Sequence, residues 1–220
     1  MTVHDRHAVG GQSVAPRTRL KSVAEQAQDQ LEEHPEDELE EEPPQLDPEI
    51  AARRAAALSH VRKFGDPVLR TKARPVDRFD DALRSEIERM GHLMHDSLGV
   101  GLAATQVGTL NRVLVYRVQP EGHIAALVNP EIEWKGKETE TMEEGCLSLP
   151  AILVDVERPI HVRVRALDET GQPLVIEASG LEARVIQHEI DHLDGVLILD
   201  RTSRDQRKEA MRALRDADAA

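Results

Sequence analysis

The chain has 220 residues, of which 40% are apolar and only 2% aromatic, so it suits one domain of moderate size with a core of Val, Leu, Ile, Met and Ala. Its formal charge of -13 is unevenly placed: residues 1–50 hold 13 acids against 4 Lys and Arg, so -9 lies there and the remainder is only mildly acidic. The single cysteine excludes an internal disulfide and fits a reducing cytoplasm, and no apolar run in the acidic N-terminal region could serve as a signal peptide or membrane span.

Residues 1–47 are predicted to be a disordered acidic extension ahead of a folded domain at 48–220. Glu32, Glu33, Glu36, Asp37, Glu38, Glu40, Glu41 and Glu42 stand there among prolines, with few large apolar residues to bury. Asp47-Pro48 reads as an N-cap with proline at the first helical position, opening a short Ala-rich helix to about Leu58. Leu83, Ile87, Met90 and Met94 step by four, three and four, which predicts a second helix from near Asp80 to a stop at Gly99.

That helix delivers the chain into Gly99-Val100-Gly101-Leu102-Ala103-Ala104-Thr105-Gln106-Val107-Gly108. The segment lacks the Lys-Ser/Thr ending of a phosphate loop, and its glycines do not fit the dinucleotide fingerprint. Small residues let backbone lie flat against a ligand, and Gln106 is a neutral side chain able to donate to a developing oxyanion. The plainer reading is a helix end followed by a tight turn. Strands are predicted at Val113–Tyr116 and Ala126–Val128, and Ile160, Val162, Val164 and Ala166 alternate with His161, Arg163 and Arg165. Asp168-Glu169-Thr170-Gly171 is a turn, and Leu174-Val175-Ile176 the returning strand. The predicted fold is α+β, with antiparallel sheet packed around a central motif-bearing helix, an additional helix on its N-terminal side and a C-terminal helix.

The central helix carries His188-Glu189-Ile190-Asp191-His192. Histidines four apart fall on one helix face, about one turn from each other, where both can bind one metal ion. The glutamate between them is held where it can take a proton from a water on that ion, the arrangement of a hydrolase. Ser179-Gly180-Leu181-Glu182 reads as a capping box at the start of this helix and Gly195 as its stop. Two hydrogen-bonded core histidines are the competing reading.

A catalytic site of this type needs a third protein ligand. The metzincin continuation is absent, since Ile198 stands where its third histidine would be. Glu209, the only glutamate after the motif, lies in a highly charged segment. Cys146, in Glu144-Gly145-Cys146-Leu147-Ser148-Leu149-Pro150, is the better candidate, bracketed by Gly145 and Pro150 in a segment of restricted backbone choices. A lone cysteine is otherwise a small, inert core residue.

With these segments read, the chain resembles the peptide deformylases. Members of that family carry Gly-x-Gly-x-Ala-Ala-x-Gln, Glu-Gly-Cys-Leu-Ser and Gln-His-Glu-x-Asp-His in that order. Gly99, Gly101, Ala103, Ala104 and Gln106 meet the first motif, Glu144 to Ser148 the second, and Gln187, His188, Glu189, Asp191 and His192 the third. The resemblance extends through Phe64–Arg70 and Val156–Pro159, hence from about His60 to Thr202.

The resemblance implies hydrolytic removal of the formyl group from the initiator methionine of new polypeptides, with release of formate. It implies that Cys146, His188 and His192 hold a divalent metal, ferrous iron in the first instance with zinc as the alternative. Glu189 would be the general base and then the general acid, and Gln106 with the Leu147 N–H would donate to the oxyanion. Val100, Gly101, Leu147 and Val185 match positions lining the family's methionine pocket. The partners so implied are N-formylmethionyl nascent polypeptides in the cytoplasm, with neither DNA nor membrane. Arg201, Arg204, Arg207, Lys208, Arg212 and Arg215 cluster on the predicted C-terminal helix from Ser203 and could contact ribosomal RNA. The interspersed Asp205, Glu209 and Asp216 make a solvated face the favoured reading. Two other classes compete: a His-Glu-x-x-His metallopeptidase that cuts peptide bonds, and a non-catalytic metal-stabilised protein, which would need neither Glu189 nor Gln106.

Overall fold

A computed structural model describes residues 46–218. The expected disordered extension, but for its last two residues, lies outside the described residues. The order is α1 (Pro48–Leu58), α2 (Asp81–Asp96), β1 (Gly101–Ala103), β2 (Val113–Tyr116), β3 (Ala125–Lys135), β4 (Thr139–Cys146), β5 (Leu149–Pro159), β6 (His161–Leu167), β7 (Pro173–Ser179), α3 (Gly180–Leu193) and α4 (Arg204–Asp218). Strands β1-β2-β3-β6-β7 form one antiparallel sheet and β4-β5 a separate hairpin. The fold is α+β, as the sequence predicts.

The first two helices start where their caps are written. Asp47 accepts from the Glu49 N–H at 2.8 Å, and Asp80 from the Leu83 N–H at 3.2 Å. The second helix stops short of the predicted Gly99: it ends at Asp96, and Leu98 turns left-handed at φ 59°. Ser97 Oγ donates back to the Leu93 carbonyl at 2.7 Å, which closes the last turn before the glycine is reached.

The continuous apolar run of β2 is explained by burial on both faces of its sheet. Val113 and Val115, with Leu102 and Val128, meet Leu83, Met90 and Met94 of α2. Leu114 and Tyr116, with Val162, Val164 and Ala178, meet Ala183, Ile186, Ile190 and Leu193 of α3. A third cluster joins Ile152, Val154 and Val156 of β5 to Leu197–Leu199 and to Ala210 of α4. The motif helix is thus clamped between the large sheet and the hairpin.

The capping box expected at the start of α3 does not form. Ser179 makes no side-chain cap bond, and Glu182 instead accepts the Tyr116 hydroxyl at 2.9 Å. That neighbour on β2 is invisible to local sequence. At the other end Gly195 takes φ 75°, and a Cβ there would lie 2.7 Å from the Arg70 carbonyl oxygen. Gly195→Ala is therefore expected to lower unfolding free energy by roughly 2 kcal/mol or more, from left-handed strain plus the clash, as a lower urea midpoint at unchanged slope.

Candidate metal centre

The His-Glu-x-x-His helix faces the turn of the β4-β5 hairpin. The Cys146 segment, expected only as a restricted stretch, is the end of β4 and the tight turn into β5, with a register shift between Gly145 and Cys146. That irregularity aims the thiol at α3. Ligand atoms of Cys146, His188 and His192 lie within 4.8 Å of one another, close enough to share one ion. Cys146 Sγ is 3.2 Å from His192 Nε2. His188 Nδ1 lies 3.0 Å from Glu144 Oε2, and since a carboxylate only accepts, that nitrogen carries the proton and Nε2 is left free to ligate.

Electrostatics favour the thiolate of this donor set and a protonated His188. Burial opposes ionisation of Cys146, but the charge of His192 and hydrogen bonds from both histidines hold its thiol well below the ordinary thiol range. The thiolate, the ligating form, is favoured. Burial likewise works against a charged His188, yet its bonds to Cys146 and Glu144 raise it well above the usual imidazole value, so a metal taken up at Nε2 displaces a proton.

Glu189 is 4% exposed, and its Oε2 has no hydrogen-bond partner among the described residues, as is also true of His192 Nδ1. Burial first, and then the Cys146 charge, push its carboxyl up, against the pull of the two histidines. A buried, unpartnered carboxylate oxygen is costly unless a ligand or a proton comes to it. A thiolate, two imidazoles and this carboxylate fit a divalent metal and its water. Gly101 permits the arrangement, because a Cβ on it would lie 2.4 Å from Glu189 Oε1.

Gln106 sits on a short 3-10 helix, Ala104–Val107, immediately after β1. Its Oε1 accepts the Ala103 N–H at 2.9 Å, which fixes the amide so that Nε2 faces Ser148 Oγ at 3.3 Å and Cys146 Sγ at 3.6 Å. The segment Arg62–Phe64 ties both walls together: the Arg62 N–H donates to the Gln106 carbonyl at 2.7 Å, and the Phe64 N–H to the Ser148 carbonyl at 2.9 Å. A cleft of about 550 Å³ opens over these groups, and Val100, Gly101, Gln106, Leu147, Val185, Cys146, His188 and Glu189 all line it. His192, the remaining expected ligand, lies beneath, 1% exposed.

A set of charged residues supports the centre that no motif assigned a role. Arg158 donates through Nε and a terminal nitrogen to both oxygens of Glu144, at 2.7 and 2.9 Å, and to Asp191 at 2.8 Å. Arg184 donates to Glu144 at 2.7 Å, and Arg201 to Asp191 at 2.5 Å. Glu144 thereby reaches His188, and Asp191 anchors the same helix one turn further on. The available signal was phase: Ile152, Val154, Val156 and Arg158 are the inward residues of β5, so the arginine continues a core-facing series.

A central helix presenting two imidazoles and a buried carboxylate to a thiolate defines a hydrolase of the His-Glu-x-x-His kind. Residues 58–208 match the polypeptide deformylase family model. A peptide deformylase of Acidothermus cellulolyticus is 47% identical over 164 residues, covering 74% of this chain and 89% of that protein. The crystal structure of the Thermotoga maritima peptide deformylase superposes with a TM-score of 0.63 at 49% identity, over 65% of this chain and 96% of that one. A Synechococcus elongatus peptide deformylase, solved in complex with actinonin, gives 0.67 at 43% identity, over 70% of this chain and 85% of the other. The chain belongs to the polypeptide deformylase family and is a hydrolase. Among the described residues no helix is long and apolar enough to cross a membrane.

Proposed function

We propose that the protein removes the N-formyl group from the formyl-methionine that begins new polypeptides, releasing formate, with residues 48–220 as the catalytic domain. The observation that carries this reading is the convergence of Cys146, His188 and His192 on one point beside the unpartnered oxygen of Glu189. Two imidazoles and a thiolate suit ferrous iron or zinc, of which we propose ferrous iron; such an ion acidifies water and polarises a carbonyl. Glu189 accepts the proton of the attacking water and returns it to the departing amine nitrogen. Its raised carboxyl suits both halves of that role. The Gln106 amide, with the Leu147 N–H, donates to the formyl oxygen as negative charge develops there. Val100, Gly101, Leu147 and Val185 form the apolar wall that takes the methionine side chain.

The test is formate release from a formyl-methionyl tripeptide by anaerobically purified, iron-loaded protein. Release from the formyl peptide without cleavage of unformylated peptides sets the reading apart from a peptidase. Absence of release with metal bound would mean a structural site or another substrate. Gln106→Ala is expected to lower kcat about 100- to 1000-fold, the usual loss for one oxyanion donor, with bound metal per chain unchanged.

We place the protein in the cytoplasm, where its lone cysteine stays reduced. We propose the ribosome as the partner to test for α4, whose exposed basic residues otherwise form a solvated face. That helix docks through Ala210, Met211 and Leu214. Arg207 pairs with Asp200 and Arg212 with Asp216, while Arg204, Lys208 and Arg215 face solvent. Changing those three to glutamine is expected to weaken ribosome binding and flatten its salt dependence. Unchanged binding would show that the face is merely solvated.

A further inference from the structure

The cleft has a basic end that the catalytic groups do not explain. Arg54 of α1 and Lys63, just beyond that helix, both line it. Lys63 Nζ donates to the Leu147 carbonyl at 3.0 Å, and Arg54 Nε to the Ser97 carbonyl at 3.4 Å. Both side chains therefore stand at the end of the cleft formed by Leu147 and by the entry to β1. The adjacent arginines are matched by acids, Arg53 by Asp96 at 3.4 Å and Arg62 by Asp66 at 3.8 Å. Among the described residues Arg54 and Lys63 form no ion pair.

The carboxylates that share the cleft do not neutralise them. Glu144 is occupied by Arg158, Arg184 and His188. Glu189 belongs to the catalytic centre, and Glu143 stands on β4 of the hairpin wall. Burial first makes the Lys63 ammonium easier to deprotonate; the Cys146 charge opposes this, and the Arg54 charge adds to it, so Cys146 compensates Lys63 only in part. Two like charges set side by side in a half-enclosed cleft are stabilised by an anion that arrives with the ligand. The reaction offers one anion chemistry, the carboxylate, in two places: the formate it releases beside Leu147, and an acidic side chain following the methionine of the substrate. Arg54 also lies ahead of residues 58–208, so α1 adds it to the cleft from outside the matched family frame.

We propose that Arg54 and Lys63 form a carboxylate subsite at the Leu147 end of the substrate cleft. The proposal rests on the deformylase reading above. Its test uses the full-length, iron-loaded protein, comparing formyl-Met-Glu-Glu amide with formyl-Met-Ala-Ala amide, and measuring inhibition by sodium formate. The parent is compared with the double variants R54Q/K63Q and R54E/K63E. We expect kcat/KM to favour the acidic peptide about three- to ten-fold at low salt, the preference to shrink as salt rises, to vanish in the glutamine pair and to invert in the glutamate pair. Inversion is a change of sign that a damaged fold, which slows both peptides alike, cannot produce. Equal peptide rates with a formate inhibition constant raised several-fold in both variants would identify formate as the carboxylate held. Equal peptide rates together with an unchanged formate constant would overturn the subsite. If the parent deformylates neither peptide, the deformylase reading falls first and the subsite with it.

Discussion

Glu189→Gln, assayed at the parent's metal content, is expected to reduce formate release by about 100- to 10,000-fold, the range over which a positioned acid-base group acts. The amide keeps the shape of the side chain, so it still fits against Gly101, where there is no room for a Cβ. What it loses is the ability to take a proton and return it. The same substitution separates catalysis from folding. Burial raises the Glu189 carboxyl, so its ionised form is disfavoured in the folded protein. A group of raised folded pKa contributes stability that is present below its unfolded value and is lost as pH rises through the folded one. Removing it therefore leaves stability at pH 7 unchanged or increased. A variant with normal thermal unfolding, normal metal content and no formate release identifies Glu189 as the proton carrier. Retention of more than a tenth of the parent rate would require another base, and the described cleft offers Glu143 and Glu144 as its only other carboxylates.

The parts of the centre that a local pattern specifies were legible in the sequence. Histidines four apart on an amphipathic helix face the same way wherever that helix packs, and α3 brings both to the Cys146 thiol. The α1 and α2 starts were legible because Asp47 and Asp80 cap within their own segments. Features that depend on distant chain were not. Ser179 and Glu182 have the spacing of a capping box, but Tyr116, 66 residues away, takes the glutamate. The β4-β5 hairpin escaped because β4 carries Glu140, Glu143 and Glu144 among few apolar residues, so it shows no alternation of its own. Glu140 and Glu143 stay exposed, and Glu144 alone turns inward, where Arg158 and Arg184 arrive to meet it. A buried polar network is specified by pairs across elements, and a single sequence displays each half as an ordinary charge.

Arg158→Met tests that network. The side chain of Arg158 is 5% exposed, and those of Glu144 and Asp191 are 6% and 12%. Methionine fills the space but leaves two buried carboxylates short of a partner, and breaking a buried pair in this way costs about 3–5 kcal/mol. Arg184 still meets Glu144 and Arg201 still meets Asp191, so the lower end, roughly 3 kcal/mol, is expected, or about 10 °C in Tm for a chain of this size. The loss has a pH signature. Burial alone would raise Glu144, but the hydrogen bonds from His188 and Arg158 and the Arg158 charge overcome it and hold its carboxyl well below the ordinary carboxylate range. A depressed carboxyl contributes stability that is complete above its unfolded value of about 4.3 and is lost as pH falls toward the folded one. The gap in unfolding free energy between parent and variant should thus be full at pH 7 and narrow as pH falls below about 4. Because Glu144 also orients His188, metal affinity should fall roughly 10- to 100-fold, the usual cost of loosening a ligand's partner. Arg158→Lys keeps the charge but loses the fork that grips both Glu144 oxygens, and should recover only part of each effect. A pH-independent gap with metal affinity intact would mean that Arg158 is a packing residue and that the histidine is oriented by other contacts.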